Sequence, residues 1–525
     1  MGIPYYFSYL VKNNPEILIE LKNLNKKINN FYLDCNSIIY DSVRLIEYTT
    51  DKDFEEDLLK LVCDKIEEYI KLIEPTNQVI IAFDGVAPVA KLNQQRNRRH
   101  KSSFEKQVFS SYKNTASWNT TSITPGTLFM KKLNTHIKKH FEKSKLCKNI
   151  KVYSSDVPGE GEHKLYEFIR NFPEKHKDEV TVVYGIDADL IMLSINHLPI
   201  CNKIYLYRET PYFIKSINNT LEPNKCYIIN IPKLANEIIY RMNDYKEANF
   251  IYEKNKLYDY IFLCFLLGND FMPHSPCLNI RTNGMDIVLK IYSELFKNSE
   301  KNLTNGKEIY WKNVRLLFSE IAKNEEQYLK DEFVIRKKWE KRPTRNKTSE
   351  DKLEKMNLIP IKNRNTEKLI NPNIIGWKKR YYKYLFDIED VNSYIQKICV
   401  NYFEALEWTF KYYGDSCYDW RWCYHYNYAP LFSDLVKYIP YFNTEFIEKQ
   451  EMNPISPELQ LAYVLPEEYQ YLINNDKIKE NINKHKHLFY SKETKFHWEF
   501  CKYFWEGHLE LPETNINLLE KLLIK

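Results

Sequence analysis

Seven carboxylates stand at positions where an α/β enzyme would collect charge. Asp34 closes the apolar run Asn30-Phe31-Tyr32-Leu33, Asp84 follows Gln78-Val79-Ile80-Ile81-Ala82-Phe83, and Asp187 follows Val180-Thr181-Val182-Val183-Tyr184-Gly185-Ile186. Glu160 and Glu162 lie in Pro158-Gly159-Glu160-Gly161-Glu162-His163-Lys164, Asp189 lies two residues beyond Asp187, and Asp270 lies in Leu267-Gly268-Asn269-Asp270-Phe271. Acids at the carboxyl ends of parallel strands meet on one rim. Like charges held together repel unless cations neutralise them or most of the acids are protonated. Oxygen ligands without clustered Cys or His suit Mg²⁺, with Mn²⁺ as a substitute, rather than Zn²⁺. Two such ions about 4 Å apart activate a water and stabilise the leaving oxygen of a phosphodiester. The chemistry implied is phosphodiester hydrolysis. A lone acid at a strand end commonly caps a helix or shapes a turn, and Asp156, just before Pro158, fits that description. The pairs Glu160/Glu162 and Asp187/Asp189 are costly placements for such a purpose.

Beyond Asp84 the chain turns basic. Lys91, Gln95, Arg98 and Arg99 fall at i, i+4, i+7 and i+8, so one helical face carries three cations and an amide. No acid appears in the stretch before Glu105, so the expected partner of these cations is an external anion. Arg offers a fork matched to phosphate oxygens and Lys a point charge.

The elements that must position these residues follow an α/β pattern. Short apolar runs alternate with helical periodicity, as in Phe54 to Leu72, Thr127 to Lys143 and Leu257 to Leu267, the last stopped by Gly268. The expected fold is α/β, a mainly parallel central sheet flanked by helices, resembling PIN and flap nucleases, with a mostly helical, aromatic-rich C-terminal region. The expected division is a nuclease domain over 1–332, a basic linker or surface excursion over 333–373 around Arg336-Lys337-Lys338, and a helical second region over 374–525 that completes the pocket.

With 525 residues, 44% of them hydrophobic, the chain has ample material for a large core, which excludes global disorder. No apolar run approaches the roughly 18 residues of a membrane span, and Met1 to Leu10 lacks the features of a secretory signal. Eleven cysteines without a CxxC pair read as reduced core thiols, and neither a zinc site nor a disulfide framework is expected. The expectation is an intracellular protein, cytoplasmic rather than nuclear, without membrane contact and acting as a monomer. A net charge of +6 identifies no partner.

The motifs resemble the XRN-type 5′→3′ exoribonucleases. The resemblance rests on Met1-Gly2-Ile3-Pro4, Asp34-Cys35-Asn36-Ser37-Ile38-Ile39, Phe83-Asp84-Gly85-Val86-Ala87-Pro88, Asn93-Gln94-Gln95-Arg96, Thr124-Pro125-Gly126-Thr127, the Pro158 to Lys164 run, Gly185 to Leu193 and Gly268-Asn269-Asp270-Phe271-Met272-Pro273-His274. It covers residues 1 to about 330, resumes at Trp408 to Asp434 and continues more faintly at Leu459 to Pro466. It implies that Asp34, Asp84, Glu160, Glu162, Asp187, Asp189 and Asp270 hold two Mg²⁺ ions, and that Lys91, Gln95, Arg98 and Arg99 bind a 5′-phosphate. The implied activity is processive, Mg²⁺-dependent degradation of single-stranded RNA bearing a 5′-monophosphate to mononucleotides.

In the family a His and a Trp sandwich the leading bases. Here the His position is Tyr40, and the Trp is Trp422 or Trp420, with Trp422 favoured by its place beside Tyr428-Ala429-Pro430. Ser37 stands where relatives carry Gly. A phenol still stacks on a base, but it does not reproduce a histidine's proton chemistry. The chain resembles a minimal catalytic module without the family's long C-terminal extension. The competing readings are a flap-endonuclease-like DNA nuclease and a nuclease-dead RNA-binding protein.

Overall fold

The computed structural model describes every residue except 1–4, 110–116, 210–213, 218, 220, 224, 298, 346, 389–391 and 525. The Met1 to Pro4 motif therefore lies outside the described residues.

Seven strands form the central sheet: β1 (Leu18–Glu20), β2 (Asn30–Asp34), β3 (Gln78–Ala82), β4 (Asn149–Tyr153), β5 (Thr181–Tyr184), β6 (Ile204–Arg208) and β7 (Tyr227–Asn230). Their spatial order is β1-β7-β6-β5-β2-β3-β4. The pairs from β6 to β4 are parallel, and β7 and β1 extend one edge antiparallel. The strand order reverses beside β2, because the chain runs outward through β3 and β4 before returning to β5. Such a reversal opens a crevice at the carboxyl ends of the strands. Asp34 ends β2 in register with Ala82 of β3, and Leu33 pairs with Tyr184 of β5. Asp34, Asp84 and Asp187 are thus delivered to one edge of the crevice.

Both faces of the sheet are covered, as parallel strands require. Phe31, Leu33, Val79, Ile81 and Val182 pack on one side with the Asp51–Ile73 and Leu128–Glu142 helices. Tyr32, Ile80 and Val183 point to the other, into a cluster that continues through Leu190, Ile261 and Trp311 to Tyr381 and Trp408. The helical C-terminal region therefore shares a core with the sheet. A third cluster packs Val86, Val89 and Leu92 against Leu459, Leu461 and Val464, so the start of the basic helix rests on the C-terminal region.

The stretch expected to be a linker is built differently. One helix, Trp311–Lys341, runs through the 332/333 boundary, and three shorter helices follow before residue 373. Arg336, read as part of a solvated charge run, is fully buried. It donates to both carboxylate oxygens of Glu367, at 2.9 and 2.5 Å, and to the carbonyls of Phe500 and Cys501. Arg364 joins the same carboxylate. Arg336 turns inward while Lys337 and Lys338 stay exposed, because Glu367, 31 residues away, supplies the counter-charge that local composition hides. Among the described residues no helix is long and apolar enough to cross a membrane.

Candidate active site

Local rules place each acid. Glu160 occupies the residue before the Gly161–Asn171 helix without capping it, and Glu162 lies in the first turn. Asp189 opens the Asp189–His197 helix. Both helix starts favour negative charge. Asp270 sits just past Gly268, whose φ of +83° suits glycine and reverses the chain after the Lys254–Phe265 helix. Gly161 is demanded by packing, since a Cβ there would lie 2.6 Å from Asp34 Oδ1. Its backbone N–H donates to Asp84 Oδ1 at 2.7 Å, and Asn36 donates to Asp84 Oδ2 at 2.5 Å.

The seven acids sense one another. Burial, then Asp84, Asp187 and Glu160, push the Asp34 carboxyl well above its usual range. Burial, then Asp189 and Glu160, do the same to Glu162. Burial followed by Asp270 pushes Asp189 up to about 7. Asp187 lies at the exposed lip, whereas Glu160, Glu162 and Asp189 are buried. Asp34 Oδ1, Glu162 Oε2 and Asp189 Oδ1 are buried and have no hydrogen-bond partner among the described residues. Buried, unsatisfied carboxyl oxygens facing other acids are a donor set that fits a hard divalent cation, whose binding releases their protons.

Two details differ from expectation. The acids do not cluster without histidine: a ring nitrogen of His163 lies within 4.8 Å of carboxylate oxygens of Glu160 and Glu162. The three share one helix start, and carboxylate oxygens still dominate the set. Lys91 does not await an external anion either. Its Nζ lies 2.5 Å from Glu160 Oε2 and 2.8 Å from Asp270 Oδ2. Burial would pull this ammonium down, but Asp270 and Glu160 hold it above its usual value. The first turn of the Val89–Phe109 helix faces the rim, so acids from distant sequence meet a lysine that has none nearby.

The rest of the basic face lies further along that helix. Gln95 is buried and accepts from Arg99, which also donates to Thr124 Oγ1 at 2.7 Å. Arg98 is exposed, with no hydrogen bond or ion pair among the described residues. Burial lowers Arg99 to about 10 against the opposing influence of nearby Tyr40. Arg96 is spent elsewhere, on the carbonyls of Pro512 and Phe489, and Lys101 on Gly507, anchoring the helix to the C-terminal region.

Sequence reasoning missed an aromatic stack from the Asn392–Gly414 helix. Tyr412 donates to Glu160 Oε1 at 2.9 Å and lies flat on His163, with centroids 3.7 Å apart. Trp408 stacks on Tyr412 at 4.8 Å, and Trp422 on Trp408 at 5.3 Å. Trp422 is half-buried at the outer end and donates to Glu404, while Trp420 gives its carbonyl to the Val89 N–H. Tyr40 is half-buried against the opposite sheet face. Lys164 was also missed in its role: its buried Nζ donates to Phe83 O at 2.6 Å and Ser154 O at 3.3 Å, tying the loops after β3 and β4 together. No spacing marks Tyr412, which sits among many aromatics 252 residues from Glu160.

Tyr412→Phe removes a donor to a buried carboxylate and leaves the ring stack intact. A hydrogen bond to a charged group contributes about 1.5–3 kcal/mol. If the reaction uses that orientation, kcat falls roughly ten- to hundredfold with little change in KM. Unchanged kcat in single-turnover assays would show that Lys91 alone holds Glu160.

A sequence model described as the XRN 5′-3′ exonuclease N-terminus matches residues 1–210, and one described as the Xrn1 helical domain matches residues 252–373 and 367–522. The chain belongs to the XRN family. It is 26% identical to the 5′-3′ exoribonuclease 2 homolog of Drosophila melanogaster, over all of this chain and 71% of the relative. It is 28% identical to 5′-3′ exoribonuclease 2 of Candida glabrata over 64% of this chain and 40% of the relative. It is 26% identical to 5′-3′ exoribonuclease 1 of Saccharomyces cerevisiae over 90% of this chain and 40% of the relative. The chain thus spans between 40% and 71% of these XRN relatives. A solved structure titled the catalytic core of Rad2 in complex with DNA substrate superposes with a TM-score of 0.32 and 13% identity, too loosely to carry an argument.

Proposed function

We propose that this chain is a Mg²⁺-dependent, processive 5′→3′ exoribonuclease that acts on single-stranded RNA with a 5′-monophosphate. The observation that carries this reading is the meeting of seven carboxylates, three of them with unpartnered buried oxygens, with a helix whose outer face carries Arg98 and Arg99. The names of the relatives support the reaction class.

Asp34, Asp84, Glu160, Glu162, Asp187, Asp189 and Asp270 would hold the ions, which when bound supply an activated water and charge stabilisation for the leaving oxygen. The protein's own contribution is orientation. Asn36 and the Gly161 N–H hold Asp84, and Tyr412 holds Glu160. Lys91 neutralises Glu160 and Asp270. Arg98 and Arg99 engage the terminal phosphate, which sets the end at which the strand enters. Tyr40, near Arg99, and Trp422, at the end of the stack, receive the leading bases.

Purified protein is expected to digest 5′-monophosphate RNA with Mg²⁺ and to leave matched 5′-triphosphate RNA and chelator-treated reactions largely intact. Cleavage of branched DNA in place of RNA would replace this reading with a flap-nuclease activity, and RNA binding without cleavage would make the chain a binding protein. Tyr40→Ala is expected to cost about 1–3 kcal/mol of RNA affinity, as loss of a base stack does, and Tyr40→His to retain most of it. Unchanged affinity and processivity in a well-folded Tyr40→Ala protein would remove Tyr40 from the RNA path.

A further inference from the structure

A second group of metal-binding side chains lies outside the seven acids. The Asp51–Ile73 and Leu128–Glu142 helices pack side by side on one face of the sheet. The first carries Cys63 and Glu67, and the second His136 and His140, each pair spaced i, i+4 so that both of its members share a face. Cys63 Sγ and a ring nitrogen of each histidine all lie within 4.8 Å of one another. The imidazoles are nearly parallel, with centroids 6.4 Å apart and planes 24° apart. Glu67 Oε1 lies 2.8 Å from His140 Nε2, while Lys71 pairs with its other oxygen at 2.9 Å. Cys63 forms no disulfide.

We propose that Cys63, His136 and His140 form a Zn²⁺ site that clamps these two helices. One thiolate and two imidazoles are soft and borderline donors, the set that selects zinc over the hard ions suited to the acidic crevice. Coordination requires the Cys63 thiol to release its proton to solvent. Glu67 orients His140, the outer role that carboxylates take beside metal-binding imidazoles, and water completes the fourth position. Cys63 forms the buried floor and His136 the exposed wall, so the ion enters from the histidine side. Cys63 stands more than 70 positions from the two histidines and has no second cysteine near it in sequence, which is why cysteine spacing alone argues against zinc. The clamp also touches the nuclease rim indirectly. Asn134, on the same helix as the histidines, donates to Ser155 Oγ and Asp156 Oδ1 in the turn that leads to Glu160.

The test uses the full chain, stripped with a chelator and titrated with Co²⁺ in excess Mg²⁺, which keeps the acidic crevice supplied with its own kind of ion. The expected result is one equivalent of Co²⁺ with a thiolate-to-cobalt charge-transfer band, displaced by Zn²⁺. Cys63→Ser should abolish the band. His136→Ala, at an exposed position that leaves folding undisturbed, should weaken Zn²⁺ affinity by at least about tenfold and remove the rise in melting temperature that Zn²⁺ produces in the wild type. Absence of the band in wild type would overturn the proposal. So would a band that persists in Cys63→Ser, because another cysteine would then be the ligand, or a Zn²⁺ affinity unchanged in His136→Ala, because the ion would then not be held between the two helices.

Discussion

Glu162→Gln is expected to reduce RNA hydrolysis by at least about a thousandfold, on the order of 4 kcal/mol at about 1.4 kcal/mol per tenfold, and Asp187→Asn to do the same. Glu162 Oε2 is buried and unpartnered, and an amide in its place removes the charge that a divalent cation requires. The same substitution should stabilise the metal-free protein. Burial and neighbouring carboxylates raise the folded-state affinity of Glu162, Asp34 and Asp189 for protons, Asp189 titrating at about 7. An unfolded chain releases these protons near pH 4. Between about pH 4 and pH 7 these three carboxyls therefore hold more protons in the native state than in the unfolded one, and their contribution to stability falls as pH rises. In chelator, the melting-temperature advantage of Glu162→Gln over wild type should grow from pH 5 to pH 8, because only wild type must lose the Glu162 proton. Mg²⁺ should reverse their order by stabilising wild type more. Near-normal turnover of Glu162→Gln in saturating Mg²⁺, or a stability difference between the variant and wild type that is indifferent to pH in chelator, would remove Glu162 from the ion-binding set.

The parts of this molecule legible in its sequence are those governed by local chemistry. Asn30 to Asp34 reads as a strand and is one, because an unbroken apolar run ending in an acid suits a doubly covered parallel strand. The helix expected over Thr127 to Lys143 spans Leu128–Glu142, with Thr127 accepting from the Met130 N–H as its cap. The acids of the crevice were legible because strand ends and glycine-flanked pairs mark them. The edge strands β1 and β7 were not, since β1 is a half-buried three-residue segment without alternation. What stayed hidden depends on partners from far away in sequence. Arg336 looks solvated until Glu367 is placed against it, Lys91 looks free until Glu160 and Asp270 arrive, and Tyr412 is one tyrosine among 41 until its hydroxyl meets Glu160.

That distinction decides how the basic helix should respond to mutation. Lys91 has internal anions, so its loss would disturb the crevice itself and would not isolate a phosphate contact. Arg98 is exposed and forms no hydrogen bond or ion pair among the described residues, and the hydrogen bonds of Arg99 there go to neutral groups, Thr124 and Gln95. A charge-assisted hydrogen bond contributes about 1.5–3 kcal/mol. Arg98→Ala should therefore weaken 5′-monophosphate RNA by roughly ten- to hundredfold in kcat/KM, and Arg98→Ala with Arg99→Ala by roughly a hundred- to ten-thousandfold if the two contacts act independently. Matched 5′-hydroxyl RNA, which offers no terminal phosphate, should change far less, so the ratio of the two substrates is the decisive measurement. Arg98→Lys should recover part of the loss, because a point charge remains although the fork is gone. A wild-type protein that degrades 5′-hydroxyl, 5′-monophosphate and 5′-triphosphate RNA at equal rates would make this face an ordinary solvated surface, and the direction of attack would need another structural origin.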